Sequence, residues 1–334
     1  MAGRFRRLGS LLGLWGGLGL LAGGGVSGKP SAPRIGDRSE YTGSADASGA
    51  VALGAQFFVV ADDEDDTLRV YRRHGGGASV ASVCVADWPA LQLPGGKRKE
   101  LDLEAAAQLG DKVFWMGSHG NSREGKIEPS RQQIFATVIT EAGGRFQIEL
   151  AGRPYRQLLE DFAEAPQLRE FQLAASAARG RAPKDDGGLN LEGLCATPEG
   201  HLLIGFRNPI PQGHALLVPL LNPEGIIHGE RARLGQPLQL DLHGRGIRDL
   251  LLVGNEYFLL AGDSRAKGLT SQLYRWAGGA APVQWLLDLP RLNPEALIAY
   301  PDTGQAELQV LSDDGQKPSL APERRKFRSV RVVF

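Results

Sequence analysis

The chain has little of what usually assigns a protein to a class. Its 334 residues include 2 cysteines, Cys84 and Cys195, which are too few for a disulfide scaffold and lie in apolar strand-like runs, as buried free thiols do. The 38 basic residues balance the 38 acidic residues, so no overall charge attracts nucleic acid, and we expect no nucleic-acid partner. After the N-terminal segment, no apolar run approaches the roughly 18 residues that a membrane span requires.

Short functional motifs are missing as well. No zinc-ligand spacing, phosphate-binding glycine loop or dinucleotide fingerprint occurs in the strand-to-helix context that each one requires.

The N-terminal segment, residues 1–28, has the features of an export signal in their usual order. Three arginines precede an apolar stretch of Leu and Gly that ends in small residues, and cleavage near Ser27 or Gly28 fits this pattern. An uncleaved anchor helix is the alternative, although the many glycines make the stretch short and weakly hydrophobic. We expect a periplasmic or secreted monomer that has no transmembrane span after cleavage.

The strongest signal in the rest of the chain is an internal repeat of short apolar strands between turns rich in Gly, Asp and Asn. Five segments run from a polar residue into an apolar strand, turn, and return as a second apolar strand. They are DASGAVALGAQFFVVADDED from Asp46, DLEAAAQLGDKVFWMGSHGN from Asp102, NLEGLCATPEGHLLIGFRNP from Asn190, GIRDLLLVGNEYFLLAGDS from Gly246, and NPEALIAYPDTGQAELQVLSDDG from Asn293.

Two more strands follow each of the first four segments, and four antiparallel strands make one propeller blade. The fifth segment is followed by one strand, FRSVRVVF, so we expect the early segment RSEYTG to complete its blade and close the ring. The sequence thus predicts an all-β propeller over residues 29–334, a single domain with five four-stranded blades. Six blades are the alternative. The helical spacing of Leu and Phe over about residues 155–181 predicts an insertion between blades 2 and 3.

The repeat alignment also predicts a ring of polar side chains about the propeller axis, from the third residue of each segment. Crowded carboxylates require protonation, a cationic partner or a metal, and Ca²⁺ accepts six to eight oxygen ligands in flexible geometry. We therefore expect a calcium site, and the alternative is a metal-free network of these glutamates with Arg248. The predicted metal ligands are Ser48, Glu104, Glu192 and Glu295.

A second set of polar residues falls mainly where the second strands end, on the same face of the propeller. Arg207 can bind an anion through its forked guanidinium, and His119 can exchange a proton near neutral pH, so both are predicted catalytic residues. For the aspartates the alternative is ordinary turn chemistry. The predicted substrate-binding residues are Asp63, Ser118, Asn208, Arg248, Asp263 and Asp313.

Three strings of the chain resemble a bacterial family called domain of unknown function 3616, over a range from about Asp46 to the C-terminus. They are DLEAAAQLGDKVFWMGSHGN, GLNLEGLCATPEGHLLIGFRNPIPQGHALLVPLLNP and LDLHGRGIRDLLLVGNEYFLLAGDS. The architecture is also similar to that of phytase-like esterase domains and of five-bladed calcium-activated nucleotidases. The second resemblance implies one axial calcium held by Glu and Ser at strand starts, a pattern from which Arg248 departs.

Two functions of different classes follow from these expectations. The first is a calcium-dependent hydrolase of phosphorylated or other anionic small molecules, in which Arg207 holds the anion and His119 moves protons. The second is a non-enzymatic propeller that binds a protein, a glycan or a component of the cell envelope.

Overall fold

The fold is seen in a computed structural model that describes residues 32–94, 98–264, 270–313, 320–321 and 324–334. The predicted signal peptide, residues 1–28, lies outside the described residues. Five sheets of the described chain, antiparallel except for one short parallel pair, form a five-bladed β-propeller, which confirms the predicted fold class. None of the described helices is long and apolar enough to cross a membrane.

The strands follow one another around the ring in chain order. After β1 (Arg34–Thr42), blade 1 contains β2 (Gly49–Leu53), β3 (Phe57–Asp62), β4 (Thr67–Arg72) and β6 (Ala81–Cys84), with the short strand β5 (Gly77–Ala78) before β6. Blade 2 contains β7 (Leu103–Leu109), β8 (Lys112–Gly117), β9 (Ile134–Ala142) and β10 (Arg145–Tyr155). The insertion that follows contains α1 (Leu158–Glu164), a 3₁₀ helix (Pro166–Phe171) and α2 (Leu173–Ser176).

The second half of the ring repeats this plan. Blade 3 contains β11 (Asn190–Ala196), β12 (Leu202–Asn208), β13 (Ala215–Leu220) and β14 (Leu238–Leu240), with α3 (Pro223–Ile227) before β14. Blade 4 contains β15 (Gly246–Val253), β16 (Glu256–Gly262), β17 (Gln272–Trp276) and β18 (Gln284–Asp288). Blade 5 contains β19 (Pro294–Ile298), β20 (Glu307–Ser312) and β21 (Lys326–Val333), and β1 lies beside β21.

The hydrophobic core is divided into five clusters, each between two adjacent blades. Strand β8 has a continuous run of apolar residues because both of its faces are buried. Val113 and Trp115 pack against blade 1, whereas Phe114 and Met116, which alternate with them, pack against blade 3. Each blade therefore buries both of its faces, and the stability of the ring depends on every blade having two neighbours.

Strand β1 joins the two ends of the described propeller. It pairs antiparallel with β21, and its end pairs in parallel with β5, the short strand that lies between β4 and β6 in the chain. Tyr41 of β1 stacks on Phe327 of β21 with ring centroids 5.1 Å apart, and its hydroxyl donates a hydrogen bond to the carbonyl of Arg73 at 2.7 Å. The Arg73 guanidinium in turn binds Asp302 at 2.7 Å and Glu307 at 3.0 Å, so aromatic and ionic contacts connect blade 1 to blade 5.

We predict that Phe327→Ala destabilises the whole propeller, because Phe327 is fully buried among Tyr41, Tyr71 and other groups of both end blades. Removing a buried Phe side chain costs about 3–5 kcal/mol, and urea unfolding would measure the loss. Phe334→Ala, at a half-buried residue just after β21, is the control and should cost distinctly less. Equal stability of Phe327→Ala and the wild type would show that this contact does not hold the ring closed.

Candidate functional site

In four of the five blades, a β-bulge at the start of the inner strand directs one side chain towards the propeller axis. The pairing of β7 with β8 passes from Leu103 to Ala105 and leaves Glu104 as the extra residue. The inner strands β11, β15 and β19 are interrupted in the same way, and their extra residues are Glu192, Arg248 and Glu295. A bulge re-aims a side chain away from the regular alternation, so these four residues leave the blade interfaces.

The strand starts open into a cavity of about 880 Å³ at one end of the propeller axis. Nine acidic and six basic side chains of the described chain line it, whereas Ala and Leu residues dominate a smaller cavity at the opposite end. The polar cavity is therefore the candidate site. Eight residues predicted from the sequence lie on its wall: Ser48, Asp63, Glu104, Arg207, Arg248, Asp263, Glu295 and Asp313.

Two arginines neutralise one side of the cavity. Arg248 binds both carboxylate oxygens of Glu295, at 2.9 Å from its Nε to Oε2, and its Nε lies 3.6 Å from Oε2 of Glu192. Arg207 donates a hydrogen bond to Oε1 of Glu192, which also accepts one from Asn190 at 2.7 Å. All four charged groups are at most 7% exposed, so this is a buried network of ion pairs, in which Oε2 of Glu192 accepts no hydrogen bond from a described residue.

The opposite side of the cavity holds carboxylates that are not compensated in this way. Oxygens of Asp63, Asp102 and Glu104 all lie within 4.8 Å of one another, which makes this the one such acidic group among the described residues. Asp102 accepts hydrogen bonds from Ser118 and, at 3.0 Å, from Arg131. Oδ1 of Asp63 is buried and finds no hydrogen-bond partner in the described part of the chain. We call these three residues the acidic triad.

Burial and mutual repulsion raise the pKa values of the acidic side. Loss of hydration, and then the Asp46 and Glu104 charges, raise the pKa of Asp63 well above its usual range. Burial and the neighbouring Glu192 and Asp102 do the same to the pKa of Glu104. Beside them, burial followed by the Asp313 charge raises the pKa of Asp46 from 3.8 to about 9. Burial and mutual repulsion therefore disfavour full ionisation of these carboxyl groups.

The structure groups the predicted metal ligands differently from the sequence prediction. Of those four residues, only Glu104 belongs to the acidic triad, while Glu192 and Glu295 are paired with arginines. Ser48 lies on the cavity wall at the start of blade 1. The contacts of Glu192 and Glu295 are those expected of a glutamate network with Arg248, whereas the carboxylates that converge lie in blades 1 and 2.

Four predicted residues do not line the cavity: Glu192, which lies behind its arginine partners, and His119, Ser118 and Asn208. His119 has positive φ and is buried, with Nδ1 2.8 Å from the Gly117 carbonyl oxygen, and burial lowers its pKa to about 4. Ser118 donates to Asp102 from behind, and Asn208 donates to the Pro183 and Asp185 carbonyl oxygens. The placement of His119 gives no support to its predicted catalytic role, because the residue is buried and does not line the cavity.

The sequence prediction missed several residues of the wall. Asp46 and Asp102 are the first residues of their repeat segments, and so are Asn190 and Asn293, which also line the cavity. The same alignment, read at its first position, would have found this second polar ring. Arg123, Lys184 and Arg291 come from connections that vary between blades, so no repeat position predicts them.

Comparisons with known proteins give a family but no activity. A model of the family described as protein of unknown function (DUF3616) matches residues 144–312, just over half of the chain. No curated protein matches the sequence.

Several solved structures have a similar course of the chain. One is the PQQ-bound aldose sugar dehydrogenase of Streptomyces coelicolor, which is 11% identical with a TM-score of 0.44. The match covers 90% of this chain and 98% of that chain. The allergen Mala s 1 of Malassezia sympodialis is similar at 13% identity, TM-score 0.38, and coverage of 86% and 77%. An exo-β-1,3-galactanase of Phanerochaete chrysosporium is similar at 9% identity, TM-score 0.45, and coverage of 91% and 64%.

We predict that Asp46 makes the unfolding free energy fall as pH rises when chelator is present. The folded state keeps the Asp46 proton up to about pH 9, whereas the unfolded chain loses it near the ordinary pKa of 3.8. Between these values the folded state binds more protons, so its stability is greatest at the acidic end and is lost towards pH 9. Asp46→Asn, which cannot ionise, should flatten this decline in urea unfolding measured across the range. Asp111→Asn, at an exposed turn near the other end of the axis, is the control. A decline of wild-type slope in Asp46→Asn would contradict the account.

Proposed function

We propose, for a chain that belongs to the DUF3616 family of proteins of unknown function, that the axial cavity binds a divalent cation and a small anionic molecule. Hydrolysis of that molecule is the activity we propose for the site. The observation that carries the proposal is the acidic triad, whose oxygens converge while the rest of the axial ring is already neutralised by arginine.

The acidic triad fits a hard cation such as Ca²⁺. Its donors are all carboxylate oxygens, the ligand type that Ca²⁺ and Mg²⁺ prefer, and oxygens within 4.8 Å of one another can share one ion. Oδ1 of Asp63 has a free coordination position, since no described group donates to it. A cation there would supply the positive charge that offsets the repulsion between the three carboxylates, and Lewis acidity towards a bound anion.

Basic side chains on the cavity wall are available to bind the anion. Arg123, Lys184 and Arg291 are exposed residues of its wall, and in the described structure none of them forms an ion pair within 4.0 Å. Arg207 was predicted to hold the anion, but its guanidinium already binds Glu192. A phosphate or carboxylate ligand would therefore meet free charge at the exposed cations before it met the buried arginines.

A non-enzymatic function remains the second candidate because of the position of His119. No histidine lines the cavity in the described residues, so proton transfer there falls to its carboxyl groups. The same cation and anion contacts would serve a propeller that binds a polar ligand, such as a glycan or an envelope component, without turning it over.

We predict that the protein binds Ca²⁺ and that the acidic triad is the site. Asp63→Asn and Glu104→Gln should each weaken the affinity by on the order of tenfold or more, because each removes one negative charge from the ligand set. Isothermal titration calorimetry would measure the affinity, and Asp111→Asn, remote from the cavity, is the control. Calcium affinity unchanged in both triad variants would exclude this site.

Hydrolysis is tested with p-nitrophenyl phosphate and bis-(p-nitrophenyl) phosphate, with calcium and with chelator. The proposal predicts turnover that needs calcium and is lost in Glu104→Gln. Calcium binding at the acidic triad without turnover of these or other phosphate esters would favour the non-enzymatic candidate.

A further inference from the structure

The wall of the cavity beside the acidic triad is a loop between α2 and blade 3. Three of its residues, Ala182, Pro183 and Lys184, line the cavity. Burial raises the pKa of Asp102, and the charge of the exposed Lys184 is close enough to offset part of that rise. This loop, residues 177–188, is named the strap below.

Two buried asparagines fix the strap to neighbouring blades. Nδ2 of Asn121, from the β8–β9 connection of blade 2, lies 2.9 Å from each of the Ala178 and Arg181 carbonyl oxygens. Nδ2 of Asn208, at the end of β12 in blade 3, lies 2.9 Å from the Pro183 carbonyl oxygen and 2.7 Å from that of Asp185. Both asparagines are at most 3% exposed, so these hydrogen bonds are made without competition from bulk water.

A tight turn presents Lys184 at the tip of the strap. The Asp185 amide donates to the Ala182 carbonyl oxygen at 3.1 Å, and the Ala182 amide donates to Oδ2 of Asp185 at 2.9 Å. The Asp185 carboxylate is thereby turned towards the backbone and does not line the cavity. Lys184 is the basic residue of this turn, and its ammonium group makes no ion pair with any described residue within 4.0 Å.

Arg123 lies on the loop that the strap touches. That loop packs against the strap at Gly125, whose carbonyl oxygen accepts a hydrogen bond from the Gly180 amide at 2.8 Å. Any side chain at Gly125 would meet the backbone of Gly180 and Arg181, so the two loops are in direct contact. Arg123 also lines the cavity and lacks an ion pair among the described residues.

We propose that Lys184 and Arg123 form an oxyanion subsite, and that Asn121 and Asn208 are its positioning residues. This inference rests on the proposed function and assigns its anion-binding groups. The ligand class is a small molecule that carries a phosphate or a carboxylate, since an ammonium and a guanidinium beside a carboxylate cluster suit an oxyanion that also contacts a bound cation. The strap is thus the element that selects the ligand.

The test measures two affinities by calorimetry, that of Ca²⁺ alone and that of an anion in saturating Ca²⁺, with inorganic phosphate and acetate as separate probes. Lys184→Ala should weaken anion binding by on the order of tenfold without weakening calcium binding, because it removes one ion pair and no cation ligand. Arg123→Ala should act in the same direction. Lys126→Ala, an exposed lysine of the Arg123 loop that does not line the cavity, is the matched control and should bind both ligands as the wild type does.

The outcomes separate this inference from the proposed function. If the wild type binds calcium but neither anion, or if Lys184→Ala binds the anion as tightly as the wild type, the subsite is overturned and the cation site stands. If calcium does not bind and the anion still depends on Lys184, the subsite stands and the proposed cation site fails. Tighter binding of phosphate than of acetate would assign the ligand to phosphate compounds, and the reverse order to carboxylates.

A double-mutant cycle tests the positioning role of Asn208. Asn208→Ala should weaken anion binding in the wild-type background but have no further effect in Lys184→Ala, because it acts through the placement of Lys184. Equal weakening in both backgrounds would overturn that role. Asn121→Ala is an independent second variant in case loss of the Asn208 hydrogen bonds prevents folding.

Discussion

The β-bulge at the start of the inner strands is the constraint on which the site depends. A regular inner strand sends alternate residues into the two interfaces of its blade, where the core requires apolar side chains. One extra residue at the strand start breaks this alternation, so Glu104, Glu192 and Glu295 can face the axis without disturbing the core on either side. The propeller can therefore place carboxylates close together in three dimensions although they are far apart in the sequence.

Carboxylates held this close together repel one another, and the repulsion is offset differently on the two sides of the cavity. In blades 3 to 5 the guanidinium groups of Arg207 and Arg248 form buried ion pairs with Glu192 and Glu295. In blades 1 and 2 the acidic triad has one arginine, Arg131, at its edge, and its carboxyl pKa values are raised. A bound cation would offset the repulsion between these carboxylates, and the proposed cation site is therefore on this side.

The sequence was sufficient to predict the five blades, because each blade repeats one pattern of apolar strands whose period shows in the order of residues alone. The same alignment placed Glu104, Arg248 and Glu295 on the axial wall. It could not show which carboxylates pair with arginine, since that depends on contacts between blades. The burial of His119 could not be read from the sequence either, because its residue type does not reveal the positive φ that it adopts. The position of Lys184 on the cavity wall could not be predicted, because it depends on hydrogen bonds from Asn121 and Asn208, two asparagines distant in sequence.

The most direct test of the central claim is a crystal structure of the protein grown or soaked in calcium, with anomalous scattering used to locate the ion. The account predicts one strong peak that lies about 2.3–2.6 Å from carboxylate oxygens of Asp63, Asp102 and Glu104. An axial cavity without such a peak at saturating calcium, or a peak bound instead by Glu192 and Glu295 with their arginines displaced, would contradict it.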